Sequence, residues 1–187
     1  MGEMQRLSPV FAYYEDGALD FRGCVYRYPG RAGQAVRKLK YQRATSLADS
    51  MAQILAQSVL EEGAEFDIAV PVPIHWFRLA WRGFNQADLL SSKLPNRRLC
   101  LRRVRATRPQ AGLTTEERLY NLEGAFEVIV PVAGKKILLI DDVVTSGKTA
   151  NECAKALKAA GAIEVGVLAF CGESIPGFTD VQRYAGE

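Results

Sequence analysis

The four cysteines of this 187-residue chain, Cys24, Cys100, Cys153 and Cys171, form no CxxC pair. Scattered thiols of this kind, with at least Cys153 and Cys171 on apolar faces, read as reduced structural residues and not as a disulfide framework or a zinc ribbon. Apolar runs are short: none approaches membrane-spanning length, and no apolar N-terminal run carries basic residues before it and a cleavage-like site after it. A cytoplasmic location with no membrane role is therefore expected. Internal repeats and low-complexity segments are missing too. Net charge is low, +3, too small to imply a polyanion partner unless the basic residues are clustered. With 48% hydrophobic residues, the chain is long enough for one substantial core.

What is there is concentrated in residues 137–149, ILLIDDVVTSGKT. Four apolar residues run into Asp141 and Asp142, followed by two valines and a small, hydroxyl-rich run. This is the pattern of a buried strand ending in polar chemistry. Ala150, Cys153, Leu157 and Ala160 then recur at helical spacing, Thr149 and Glu152 form the pattern of a capping box, and Gly161 is a stop. The acids and hydroxyls are thus expected in a strand-to-helix turn. A helix N-terminus offers unpaired N–H groups and a positive dipole end, so the guest it suits is a phosphate. Gly147-Lys148-Thr149 is only half of a Walker-type P-loop, because GxxxxGK[ST] needs glycine where Asp142 stands.

All thirteen residues of this stretch resemble the ribose-phosphate motif of type I phosphoribosyltransferases. The resemblance implies that Asp141 and Asp142 take the 2′- and 3′-hydroxyls of 5-phosphoribosyl 1-pyrophosphate (PRPP). It also implies that Val144, Thr145, Ser146, Gly147, Lys148 and Thr149 wrap its 5′-phosphate. Magnesium is the expected cofactor, held mainly by substrate oxygens and water. The rival is a plain strand, an acidic turn and a Thr-capped helix.

Upstream, residues 1–30 mix six aromatics, Phe11, Tyr13, Tyr14, Phe21, Tyr26 and Tyr28, with Gly17, Gly23 and Gly30. Short extended pieces and turns forming a flap are expected, with a lid over an acceptor as the sharper reading. Residues 31–41 pattern as a short basic amphipathic helix, Ala35, Val36 and Leu39 facing inward and Arg31, Arg37, Lys38 and Lys40 outward. A second helix, opened by a Ser46–Asp49 capping-box variant, carries the stripe Leu47, Met51, Ile54, Leu55 and Val59 to a stop near Gly63. Residues 67–73, DIAVPVP, read as a buried strand ended by prolines. Residues 74–87 then hold the sole histidine, both tryptophans, Arg78, Arg82 and Gly83-Phe84-Asn85-Gln86. Loops at the carboxyl ends of strands converge in an open α/β sheet, so Arg78 and Arg82 are candidates for a pyrophosphate leaving group, against simple solvation. His75, beside Trp76, is expected to pack or cap.

The run Val-Pro-Val-Pro, Arg82-Gly83-Phe84-Asn85-Gln86-Ala87, Pro109-Gln110-x-Gly112-Leu113, Glu117-Arg118, Asn121 and Gly124-Ala125-Phe126 resembles the ComF (competence-associated) phosphoribosyltransferase-like family. The similarity reaches from about Tyr28 to Cys171 and includes Leu39-Lys40-Tyr41. Many members open with a four-cysteine zinc ribbon. Here only Cys24 stands in that region, so no zinc role carries over.

Between Leu89 and Thr115 there is no acid, while Arg97, Arg98, Arg102, Arg103, Arg105 and Arg108 fall within a dozen residues. Leu99, Leu101 and Val104 interleave with them, as in a strand or hairpin with a charged outer side. Three readings compete: a solvated edge, a mobile loop gripping pyrophosphate, and a strip for single-stranded DNA. The resemblance favours the loop for Arg105 to Arg118, whereas the stacking aromatics a DNA strip needs lie elsewhere, at Trp76, Phe77, Trp81 and Phe84. Residues 114–122 pattern as a short capped helix, 124–129 and 164–171 as strands, and 173–187 as a tail.

The expected architecture is a single phosphoribosyltransferase-like domain over 1–187, with the core at 31–172. Its sheet is open, mainly parallel, twisted and flanked by helices, with an arginine-rich hairpin and flexible-loop insert. The expected function is transfer of a phosphoribosyl group from PRPP to a nitrogen acceptor with release of pyrophosphate. The alternative is a non-catalytic protein of the DNA-uptake machinery that binds PRPP, a nucleotide or single-stranded DNA. Exposed aromatics near the N-terminus make a homodimer a further expectation.

Overall fold

Two hydrophobic clusters, one on each face of a central sheet, account for the order of elements. The computed structural model describes Met4, Arg6 and residues 11–13, 17–28, 30–42, 44–105 and 122–173. Strands β1 (Phe11–Tyr13), β2 (Phe21–Arg27), β3 (Ile68–Pro71), β6 (Lys136–Val144) and β7 (Glu164–Gly172) form a five-stranded sheet in the order β1-β2-β7-β6-β3. Only β1 runs antiparallel; the β2–β7, β7–β6 and β6–β3 pairs are parallel. A separate antiparallel pair joins β4 (Leu101–Arg103) to β5 (Phe126–Val128). A strand among the arginines is therefore present, paired with the strand expected at 124–129.

The central strand shows how the sequence makes two layers. Successive side chains of a strand point to opposite faces. Ile137 and Leu139 join the cluster containing Cys153, Ala154 and Leu157 of helix α5 (Lys148–Ala159), together with Leu101 and Phe126 of the β4–β5 pair. Leu138 and Ile140 join the other cluster, with Val36 and Leu39 of α1 (Arg31–Gln42), Met51 and Leu55 of α2 (Ser46–Glu61), and Leu90 of α4 (Gln86–Leu90). A strand apolar on both sides is what a doubly covered parallel sheet requires. Each fully buried leucine or isoleucine contributes roughly 1.5–3 kcal/mol.

Several expectations are corrected. β6 does not stop at Ile140: Asp141 pairs with Ala169, Val143 with Cys171 and Val144 with Gly172, so both acids lie inside the strand. The β-branched Val143 and Val144 and the length of β7 carry the ladder past the charges. Neither capping box forms. The N-cap of α5 is Gly147 and that of α2 is Thr45, and neither makes a side-chain cap hydrogen bond. Ala154, not Ala160, completes the buried face of α5, because α5 ends at Ala159 and Ala160 is exposed. The expected helix at 114–122 lies almost wholly outside the described residues, as do Arg108, Arg118 and most of the tail. All four cysteines are free and buried. Among the described residues, no helix is long and apolar enough to cross a membrane.

Candidate functional site

The strands β3 and β6 are neighbours, yet the helices that follow them leave to opposite faces. α4, after β3, buries Leu90 in the α1–α2 layer, whereas α5, after β6, buries Cys153 and Leu157 in the other. Such a divergence opens a crevice at the carboxyl ends of the strands, where open α/β sheets bind ligands. A cleft of about 960 Å³ occupies it, lined by the β3 side from Val72 to Ala87 and the β6 side at Asp141, Asp142 and Val143.

The β6 side continues into a small cavity of about 80 Å³ formed by Asp141 and residues 143–150. Gly147 sits there at φ +71, in the left-handed region that glycine enters without strain. A Cβ at this position would lie 3.3 Å from the Arg22 guanidinium. Arg22, a buried residue of β2, donates to the carbonyl of Val144 at 3.2 Å and to that of Thr145. The loop is thus held from beneath, with its cap position free of any side chain. That leaves the first-turn amides of α5 to a guest, in a cavity of anion size. Thr145 and Ser146 are exposed, and Thr149 and Asp141 line both this cavity and the large cleft.

On the β3 side the run RGFNQA resolves into separate tasks. Gly83, at φ 86, ends α3 (Trp76–Arg82) with its N–H on the Leu79 carbonyl. Asn85 caps α4, its Oδ1 accepting from Ala87 N at 3.2 Å while its Nδ2 donates to Val72 O at 3.0 Å. Arg82 donates to Gln86 Oε1 at 2.7 Å, and its guanidinium lies 5.7 Å from the Tyr41 ring centroid. Arg82 Nε and Gln86 Nε2 are buried donors without hydrogen-bond partners among the described residues, and both residues line the cleft. Such donors are costly unless something accepts from them. His75 Nδ1 accepts from Phe77 N at 3.3 Å and caps α3, the structural role expected of it.

Arg78 and Arg82 both line the cleft. Arg105 does not; it donates to the Glu123 carbonyl at 3.2 Å. Arg118 lies outside the described residues. Arg103 takes the cleft-facing place on β4, its guanidinium 5.5 Å from the Phe126 ring centroid. It shares the cleft with Trp76, Phe77 and Trp81, so one basic residue of the arginine-rich segment meets the exposed aromatics after all. The segment's other arginines disperse: Arg97 pairs with Asp88, and Arg102 with Glu127 at 2.7 Å.

The two acids differ. Asp142 is 6% exposed, and its Oδ2 lies 2.5 Å from Lys40 Nζ. Asp141 is half-buried and accepts the Asp142 N–H on Oδ1 at 2.8 Å. Burial first, and then the adjacent Asp142 charge, push the Asp141 carboxyl well above its ordinary value. Burial alone would lower the Lys40 pKa, but the Asp142 carboxylate outweighs it and the net shift is upward. Arg82 and Arg103 are each drawn down by burial. By sequence pattern Lys40 belongs to a solvated face and Arg103 to a basic cluster weighed for single-stranded DNA, and no local signal marks Arg22. Only the Leu39-Lys40-Tyr41 match drew attention to the end of α1.

Residues 78–180 match the model of the phosphoribosyl transferase domain, more than half of the chain, and the chain belongs to that family. Within it the chain is ComF-like. It is 38% identical over 148 residues to the DNA utilization protein YhgH of Salmonella typhi, covering 73% of this chain and 65% of that one. It is 33% identical over 146 residues to Competence protein F of Haemophilus influenzae, covering 71% and 64%. The chain thus spans a little under two thirds of the length of these curated relatives. Among solved structures, a glutamine PRPP amidotransferase from B. subtilis aligns with 22% identity and a TM-score of 0.45, over 66% of this chain and 26% of that one. A purine phosphoribosyltransferase from Pyrococcus horikoshii aligns with 15% identity and a TM-score of 0.36, over 71% and 93%.

Proposed function

We propose that the chain binds PRPP with Mg²⁺ and transfers its phosphoribosyl group to a nitrogen acceptor. The observation that carries this reading is the junction of the two cavities at Asp141 and Thr149: an anion-sized pocket on a helix N-terminus opening into a cleft with arginines on its far wall. The 5′-phosphate takes the amides and hydroxyls of residues 144–149. Asp141 accepts from the ribose hydroxyls, and Arg78 and Arg82 of α3 and Arg103 of β4 receive the pyrophosphate from two sides of the cleft.

In the reaction the bond from the anomeric carbon to pyrophosphate breaks, its electron pair leaving with the pyrophosphate, and a nitrogen lone pair forms the new bond. Asp141 favours the positive charge that develops on the ribose ring, and the arginines neutralise the departing anion. No cluster of three or more His, Cys, Asp or Glu that would hold a metal ion occurs among the described residues. This donor set fits an ion that arrives with most of its oxygen ligands on the substrate and in water. The chemistry Mg²⁺ supplies there is neutralisation of the pyrophosphate.

A second reading is favoured by Trp76, Phe77 and Trp81, which are 60–67% exposed beside Arg78 and Arg103. Stacking aromatics next to cations suit single-stranded DNA, in a protein that binds PRPP or a nucleotide without turning it over. Calorimetric titration of PRPP and Mg²⁺ into the wild type and an Asp141→Asn/Asp142→Asn double variant tests the first reading. Binding by the wild type alone is expected, and equal binding by both would sink it. Pyrophosphate release across a panel of bases and amines separates enzyme from sensor, and salt-dependent binding of single-stranded DNA lost in Arg103→Ala would mark the second reading.

A further inference from the structure

The geometry points to a division of labour between the adjacent acids: Asp141 alone meets the ligand, while Asp142 is an anchor for Lys40, and Lys40 with Tyr41 positions the arginine loop. This inference rests on the phosphoribosyl reading for the identity of the ligand. Asp141 lines the small cavity with the residues that lead into α5, and Asp142 faces α1, against Lys40. Asp141 lines both cavities; Asp142 lines only the large one and is nearly closed off from water.

To offer its carboxylate to a ribose hydroxyl, Asp142 would have to leave Lys40, whose side chain is itself only 24% exposed. A buried ammonium without its counter-charge is strongly disfavoured, so the pair stays closed. Asp141 has no ion-pair partner among the described residues; its Oδ1 accepts only the Asp142 N–H there. Its position also joins the ribose side to the phosphate side, as a residue contacting a phosphorylated sugar must.

The other half of the inference lies at the end of α1. Lys40 fixes the last turn of that helix onto β6, and the next residue, Tyr41, places its ring 5.7 Å from the Arg82 guanidinium. Arg82 in turn holds Gln86 at 2.7 Å. The buried donors Arg82 Nε and Gln86 Nε2, which lack partners among the described residues, mark the point this chain of contacts serves: a rigid acceptor-seeking corner of the cleft. Lys40 and Tyr41 precede the matched family segment, residues 78–180, so the brace comes from outside it. Around the acid pair stand Lys40 and Tyr41 of α1, Arg78 and Arg82 of α3, Arg103 of β4, Cys153 of α5 and Cys171 of β7.

Thermal melts without ligand and PRPP–Mg²⁺ calorimetry on Asp141→Asn, Asp142→Asn, Lys40→Met, the Lys40→Met/Asp142→Asn double variant, Lys40→Arg and Tyr41→Ala test the division. Asp142→Asn and Lys40→Met are each expected to lower the melting temperature, and their combination to recover much of the loss, since neither charge is then stranded. Lys40→Arg should retain most of the wild-type melting temperature. Asp141→Asn should not lower it, and should weaken PRPP binding roughly tenfold or more, the loss of a charge-assisted hydrogen bond. Tyr41→Ala should fold as the wild type and lose affinity for inorganic pyrophosphate more than for ribose 5-phosphate.

Two results overturn the division. One is a folded double variant that loses as much PRPP affinity as Asp141→Asn, which would make Asp142 a ligand contact. The other is simple addition of the two single melting losses. If the wild type binds no PRPP, the phosphoribosyl reading and the ligand role of Asp141 fall, while the melting cycle still decides the anchor.

Discussion

The loops after β6 and β3 stand side by side at the same end of the sheet and are built in opposite ways. Residues 145–149 are small and hydroxylated, turn through a glycine at positive φ, and enclose about 80 Å³. Residues 74–85 are large, aromatic and basic, carry a short helix of their own, and wall a space roughly ten times larger. The first offers main-chain amides, whose positions are fixed by φ and ψ. The second offers long side chains, whose positions depend on neighbours such as Tyr41 and Gln86. A small fixed loop suits a ligand part that never varies, a phosphate, and a large side-chain loop suits parts that differ or depart.

The largest expected effect follows from that contrast. Gly147→Val puts a β-branched residue at φ +71, 3.3 Å from Arg22, and should abolish measurable PRPP binding by calorimetry, a loss of about 100-fold or more. Any single substitution in the other loop should do less. Arg103→Ala should weaken pyrophosphate inhibition or binding by roughly tenfold, whereas Arg105→Ala, which loses only a bond to the Glu123 carbonyl, should leave it within about twofold. Equal effects of the two would return the pyrophosphate role to the segment following β4.

His75→Ala should cost about 1 kcal/mol of stability through the lost cap, a few degrees in the melt, with pyrophosphate release retained. A further expected effect concerns pH. Asp141 titrates higher in the folded chain than its ordinary value of 3.8, so between those two values the native state holds the extra proton and stability falls as pH rises. Asp141→Asn should flatten that decline in melts taken across the acid range.

How far this site was legible depended on distance along the chain. The loop after β6 is contiguous, and thirteen neighbouring residues carry its pattern. Of the two local roles expected for His75, packing or capping, the structure shows the cap. Arg22 braces carbonyls 122 and 123 residues away, and no local pattern marks an arginine in a short strand as support for a distant loop. Lys40 looked like one more charge on a basic helix, and only burial against Asp142 distinguishes it from Arg37 or Lys38. The β pleat turns Arg103 inward and Arg102 out, and β4 ends before Arg105. Asp141 and Asp142 were read as a turn because charge usually ends a strand; the β7 ladder kept them in it.

The four buried thiols give the molecule an internal clock. Burial raises all of them above 9.0, that of Cys171 to about 12, so at neutral pH almost none is the reactive thiolate. Cys24 and Cys171 belong to the sheet, Cys100 leads into β4, and Cys153 lies on α5 beyond the glycine turn at Gly147. An alkylating reagent can therefore mark each only when its own part of the fold opens. The order in which the four are modified would read out which layer loosens first.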